Sequence, residues 1–291
     1  MKKTLILTLA GLLVSFSASA TLIAYEGFDY ADGSNLQTFT SDGGSGWADS
    51  GWTRAAGGSQ FVTAVSSLSF NTLLTSGNSI SGTHSGYNRN MTTNPLSGIG
   101  DGESVWMSFV LNVSTLGAAS FSDTRAFYIG WNGAGGNATN AGSMTKAEIR
   151  DYDVGAGTYT IYAADRNNVA SDGGVTLSLN QDYLISLRYV NNFSGANDLL
   201  EIYSIAASDL GLADPTGASA TSSIGGYNMN RSDFTQVGFS AFNDLTANVA
   251  LDEFRVGQSF SDVTPIPEPG ACALFIGVAA LVWSRRRRLC N

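Results

Sequence analysis

Residues 182–190, DYLISLRYV, place Tyr183, Ile185, Leu187 and Tyr189 on one face of an extended chain, with Ser186 and Arg188 on the other. Successive side chains of a strand point to opposite faces, so this alternation predicts a strand with one side buried. Short apolar runs of this kind recur through the middle of the chain. They predict strands at 104–113, 126–131, 147–152, 157–163, 199–205, 235–242 and 249–256. Turn signals separate them at Gly133–Gly136, Asp172-Gly173-Gly174 and Ser194-Gly195. A short helix or turn fits 206–210, but no long segment between the two chain ends carries a 3.6-residue period, and no internal repeat is evident. The 34 glycines and the 13% of charged residues agree with a turn-rich, neutral-polar chain. Many short strands punctuated by turns point to an all-β sandwich or barrel.

The two ends read differently. Lys2 and Lys3 precede an apolar stretch at 5–16, followed by Ser17-Ala18-Ser19-Ala20. This is the layout of a secretory signal peptide over 1–20, cut by signal peptidase after Ala20. At the other end, 271–283 is apolar for 13 residues, shorter than the roughly 20 of a comfortable membrane-spanning helix. Pro267 and Pro269 block a backward helical continuation. Trp283 suits a membrane interface, and Arg285, Arg286, Arg287 and Arg288 suit the cytoplasmic side and can snorkel.

Pro267-Glu268-Pro269, the apolar run and the arginine cluster, in that order, resemble the PEP-CTERM sorting signal of Gram-negative bacteria. The resemblance covers 265–291. It implies a single transmembrane sorting helix, recognition by an exosortase and cleavage near Pro-Glu-Pro. The protein would stay membrane-anchored until it is sorted to the cell surface or extracellular matrix.

Removing both ends changes the electrostatics. The whole chain carries a formal charge of −9, but residues 21–267 hold nine basic residues against 23 acidic ones, a net charge of −14. A domain so acidic is repelled by nucleic acid and by anionic membrane surfaces, and attracts calcium or basic partners. Both cysteines, Cys272 and Cys290, lie in the terminal segment. The rest therefore has neither a disulfide nor a cysteine nucleophile, and must be held by its core.

The segment YEGFDY at 25–30 and the segment LDEFRVG at 251–257 bracket the middle region. Together they resemble the opening and closing strands of concanavalin A-like, or laminin-G-like, jelly rolls. The resemblance implies one antiparallel β-sandwich over 21–264. The family includes lectins, carbohydrate-binding modules, glycoside hydrolases and adhesion domains, so fold alone does not select a function.

Catalytic signals are weak. Glucanases of this family carry a strand motif E-x-D-x-x-E, or a one-residue bulged form of it, whose acids act as nucleophile and acid/base. The nearest match here is Glu148-Ile149-Arg150-Asp151-Tyr152-Asp153. In a regular strand Asp151 and Asp153 share a face, Glu148 points away, and Arg150 stands where the second acid belongs. The plain alternative is a half-exposed strand with Ile149 inward. His84 is the lone histidine and sits in a polar loop, with no G-x-S-x-G elbow and no second ligand for zinc. The glycine-rich stretches lack a P-loop lysine.

Two binding expectations remain. On a regular closing strand Asp252 shares a face with Phe254 and Val256, and a buried carboxylate needs a partner. Jelly rolls of this family often hold structural calcium, so Glu26, Asp29 and Asp252 are candidate ligands. The alternative is that Asp252 accepts backbone N–H groups or pairs with Arg54 or Arg255. Trp47, Trp52, Tyr87 and Trp131 lie in or beside Gly/Asn/Ser-rich loops and are candidate sugar-stacking platforms, or else core plugs; Trp106, inside a strand, reads as core. The expectation is an exported, surface-sorted, non-catalytic protein that binds glycan or polysaccharide, or serves structurally in the exopolysaccharide matrix. The alternative is a divergent glycoside hydrolase.

Overall fold

The computed structural model describes residues 22–38, 44–48, 51–57, 61–64, 66–73, 75–83, 85–132, 144–192, 197–227, 234–241 and 247–265. The signal-peptide expectation, the sorting motif from Pro267 to Arg288, His84 and the turns at 133–136 and 194–195 lie outside them.

Among the described residues, fifteen strands form two sheets, and every strand pairing is antiparallel. In chain order they are β1 (Leu22–Glu26), β2 (Thr53–Gly57), β3 (Val62–Ala64), β4 (Ser79–Gly82), β5 (Ser85–Asn90), β6 (Ser104–Leu116), β7 (Phe127–Asn132) and β8 (Met144–Asp153). Then follow β9 (Thr158–Ala164), β10 (Val175–Ser178), β11 (Asp182–Val190), β12 (Asp198–Ser204), β13 (Ala220–Tyr227), β14 (Gln236–Ala241) and β15 (Ala247–Gly257). A four-residue helix, α1 (Phe260–Val263), lies near the end of the described chain, opened by a capping box between Ser259 and Asp262.

The eight-stranded sheet runs β13-β12-β11-β6-β15-β4-β3, with β1 also paired to β15. The seven-stranded sheet runs β10-β9-β8-β7-β14-β5-β2. β15 is shared along one edge: Val249–Leu251 pair with β4, and Phe254–Gly257 with β1. The opening and closing segments of the domain are therefore neighbouring strands.

The inner faces meet in one apolar core, to which β6 gives Met107, Phe109 and Leu111, β11 gives Ile185, Leu187 and Tyr189, and β14 gives Val237 and Phe239. The alternation of β11 is as expected. The outer face of the eight-stranded sheet is apolar too. Trp106, Val110 and Leu184 are covered there by Leu73, Leu210, Phe260 and Val263 in a second cluster. Doubly covered strands read as continuous apolar runs, which is why SVWMSFVLNV lacks alternation.

One ion pair crosses the core. Glu26, at the end of β1, and Arg89, on β5, are both fully buried and in contact. The Glu26 carboxylate also accepts from Phe28 N at 2.8 Å, the Tyr30 hydroxyl at 2.9 Å and Trp52 Nε1 at 3.3 Å. The Arg89 guanidinium lies 4.9 Å from the Trp47 ring centroid. Burial pushes the Glu26 carboxyl up from its ordinary pKa, against the pull of Arg89 and its three donors.

Of the register shifts among the described strands, two decide where the carboxylates singled out above point. β8 shifts register between Ile149 and Asp151, and β15 between Asp252 and Arg255. At the second, Glu253 has φ 53°, a left-handed conformation costing about 1–2 kcal/mol for a residue with a Cβ. Its carboxylate repays this by accepting from Ser76 N, Arg255 Nη2 and the Tyr25 hydroxyl.

Removing one partner of a buried ion pair leaves an uncompensated charge and costs about 3–5 kcal/mol. Glu26→Ala and Arg89→Ala should each lower the free energy of urea unfolding by that amount, and the double variant by less than the sum. Simple additivity in this cycle would show that the two groups are not coupled.

Candidate functional site

The bulge in β8 builds a cleft on the outer face of the seven-stranded sheet. Ala147, Ile149 and Tyr152 point into the core, so the extra residue at Arg150 leaves Glu148, Arg150 and Asp151 together on the outer face. The expectation that Glu148 points away from Asp151 is therefore corrected: it assumed a regular strand, and two residues of β8 occupy one register step here.

The cleft has a volume of about 240 Å³ and is lined by Ser122, Asp123, Arg150, Asp151, Tyr162, Ala170 and Ser171. Its walls are the segment 121–126, which pairs along β8, and the turn 165–171 after β9. Phe121 and Tyr152 exchange backbone hydrogen bonds of 3.0 and 2.9 Å, and Thr124 N donates to Arg150 O at 3.1 Å. In the turn, the Asp165 carboxylate accepts from Asn167 N at 2.9 Å and Val169 N at 2.8 Å, an Asx-type closure.

Charges under the cleft are matched. Arg150 donates through Nε to Glu148, through Nη1 to Asp123 at 3.0 Å and through Nη2 to Asn168 O at 2.6 Å. Glu148, fully buried, also meets Arg125 at 3.4 Å and Lys146 at 3.5 Å. Burial pushes the Lys146 ammonium down to about 8, although Glu148 pulls it up. It donates to Asp165 O at 3.1 Å and Asn168 Oδ1 at 3.0 Å. The same two cations thus shape the turn that walls the cleft.

Asp151 accepts from the Tyr162 hydroxyl and from Asp123 N at 2.8 Å. Burial raises its pKa, but Tyr162, Asp123 N, the Ser122 side chain and Arg150 outweigh it and hold the carboxyl below its ordinary value. The Tyr162 hydroxyl is pushed up to about 12 by burial and by the carboxylate it serves. An ionised Asp151 and a neutral Tyr162 make a fixed donor–acceptor pair at neutral pH.

The other candidate residues are used elsewhere. Glu26 serves Arg89. Asp29 is exposed. Asp252 accepts from Ser67 Oγ at 2.6 Å, Leu68 N at 2.8 Å and Glu253 N at 2.8 Å. The bulge turns Asp252 to the side opposite Phe254 and Val256, correcting the face expected for it: Leu251 and Phe254 are inner, and Asp252 lies opposite Val110 of the outer cluster. Glu26, Asp29 and Asp252 do not come together as a calcium site. No cluster of three or more His, Cys, Asp or Glu side chains that could hold a metal occurs among the described residues.

The aromatic quartet is corrected as well. Trp52, Tyr87 and Trp131 are core residues, and half-buried Trp47 packs against the same core with its indole N–H on Tyr25 O at 2.8 Å. Trp106 is buried as expected. The residues that do line a cleft carry little signal in the sequence beyond E-x-R-D. Tyr162 would be placed outward by the alternation of β9, but its meeting with Asp151 depends on the bulge.

No family model matches the sequence, and a search of curated proteins finds no match. Similar solved structures include a carbohydrate esterase of the Shiga toxin-encoding bacteriophage phi24B, with TM-score 0.42 and 14% identity over 81% of this chain and 97% of that one. Another is the CBM22-1 xylan-binding domain of Paenibacillus barcinonensis Xyn10C, with TM-score 0.33 and 9% identity over 82% of this chain and 94% of that one. A third is the lectin UEA-II complexed with galactose, with TM-score 0.35 and 12% identity over 81% of this chain and 99% of that one. No described helix is long and apolar enough to cross a membrane.

Burial, with the neighbouring Glu253 charge, pushes Asp252 up to about 7 against its hydrogen-bond donors. The folded protein then holds a proton there that the unfolded chain, at about 3.9, has released. This contribution to stability is full below about pH 4, falls as pH rises towards 7 and is absent above. Calorimetric scans should show wild type losing more melting temperature than Asp252→Asn between pH 5 and 8. Equal losses would mean that Asp252 is ionised in the fold throughout.

Proposed function

We propose that this is an exported, surface-sorted, non-catalytic protein that binds glycan through the β8 cleft. On this reading the sandwich is a jelly roll of the concanavalin A-like, laminin-G-like kind. The observation that carries it is the cleft itself. A guanidinium, a carboxylate, a phenol and a serine hydroxyl converge on a space held rigid by strands and a closed turn. Sugars present vicinal hydroxyls that both donate and accept, and preorganised Arg–Asp–Tyr groups answer that geometry without the entropy cost of ordering a loop.

The same geometry argues against hydrolysis. A retaining glycosidase needs one carboxyl that keeps its proton near neutral pH beside one that does not. Asp151 is held below its ordinary pKa, and Glu148 is fully buried against three cations and does not line the cleft, out of a substrate's reach. For export, the support is the order of the terminal segments: a basic start, an apolar run and Ala-Ser-Ala at one end, and Pro-Glu-Pro, an apolar run and four arginines at the other.

The protein should be retained on a polysaccharide affinity column from a panel of exopolysaccharides, and Asp151→Asn and Tyr162→Ala should each weaken retention about tenfold while far-UV circular dichroism stays unchanged. Release of reducing sugar that Asp151→Asn abolishes would replace this reading with the hydrolase. In a Gram-negative host carrying an exosortase, replacing Pro267, Glu268 and Pro269 with alanine should trap the precursor in the membrane fraction. Normal release of that variant would remove the sorting reading.

A further inference from the structure

The charge balance around the cleft narrows the ligand class. We infer that the cleft takes a single uncharged sugar ring, a terminal or branching neutral hexose, rather than a uronic-acid or sulfated unit. This rests on the glycan-binding reading of the same site.

Arg125, Lys146 and Arg150 face Asp123, Glu148 and Asp151, and Asp165 of the turn adds a fourth carboxylate beside Lys146. Arg150, the cation that lines the cleft, already spends Nε on Glu148, Nη1 on Asp123 and Nη2 on Asn168 O. These contacts use three of its five N–H groups and leave its charge shared between Glu148 and Asp123, so an anionic sugar competes with two carboxylates already in place. It would also pass Asp123, whose side chain is 83% exposed at the rim. The protein as a whole is acidic, which opposes anionic polymers at longer range.

A neutral sugar meets what remains. A carboxylate offers about four lone-pair sites. Asp151 gives three of them to Tyr162, Asp123 N and Ser122, and one is left for a sugar hydroxyl. The volume sets the length. About 240 Å³ falls below the roughly 300–1,000 Å³ of sites for drug-sized ligands, so the cleft itself holds about one ring, and any further residues of the glycan lie outside it.

The test pairs neutral and acidic sugars of one shape on the full-length protein. Immobilised oligosaccharides ending in glucose, galactose or mannose are compared with those ending in glucuronate or galacturonate. Neutral ends should bind at least about fivefold tighter, the effect of one unit charge at about 4 Å in a water-like dielectric. Asp123→Asn should narrow that ratio. Neutral binding should change less than twofold on going from 0.05 to 0.5 M salt, since no net charge is neutralised; these concentrations bracket Debye lengths of about 14 and 4 Å. Uronate ends bound as tightly as neutral ones, or an unchanged ratio in Asp123→Asn, would overturn the inference and leave glycan binding standing. Binding of neither class would overturn both.

Discussion

The buried pair of Glu26 and Arg89 ties the two sheets to each other through the middle of the core. β1 belongs to the eight-stranded sheet and β5 to the seven-stranded one. Apolar packing between two sheets is tolerant of sliding. A charge pair with several satisfied hydrogen bonds is not, because any shift strands a charge in a medium that cannot solvate it. The pair also organises its surroundings: Tyr30 and Trp52 donate to the carboxylate, and Trp47 caps the guanidinium. The YEGFDY segment is thereby explained as architecture. Glu26 is the anion, Phe28 and Tyr30 are core, and only Asp29 faces solvent.

Much of the sandwich was legible because its central strands alternate or run apolar. β11 matches its expected bounds, and the other expected strands lie within a few residues of theirs. The strands without a sequence signal are short, such as β3, VTA, and β10, VTLS, or polar, such as β5, SGYNRN, and β13, ATSSIGGY. In β5 the inward residues include Arg89, whose burial only makes sense once Glu26 is seen opposite. Charge pairs between distant strands leave no local periodicity to read.

The candidate site was less legible, for a single physical reason. Both stretches singled out for their carboxylates, 148–153 and 251–257, contain a bulge, and one extra residue reverses which side chains share a face. Asp252 left the core face it was expected to occupy, and Asp151 joined Glu148 on the face it was expected to avoid. Bulges have weak sequence signatures when the residue inserted is not glycine, as at Arg150 and Glu253. The aromatic residues failed as site markers for the opposite reason: large rings beside glycine-rich turns fill the ends of a sandwich core as readily as they stack on a ligand.

The strand at the heart of the eight-stranded sheet is also, among the described strands, the last to leave the ribosome. β15 stands between β6 on one side and β4 with β1 on the other, so the sheet has no middle until residue 257 is available. Nascent chains lacking that strand can form hairpins such as β11–β12 but cannot join them to β1 or β4. Such dependence on distant pairing makes folding slow, on the order of milliseconds to seconds. A truncation before residue 247 would therefore delete the strand that joins β6 to β4 and β1, a keystone rather than a fringe.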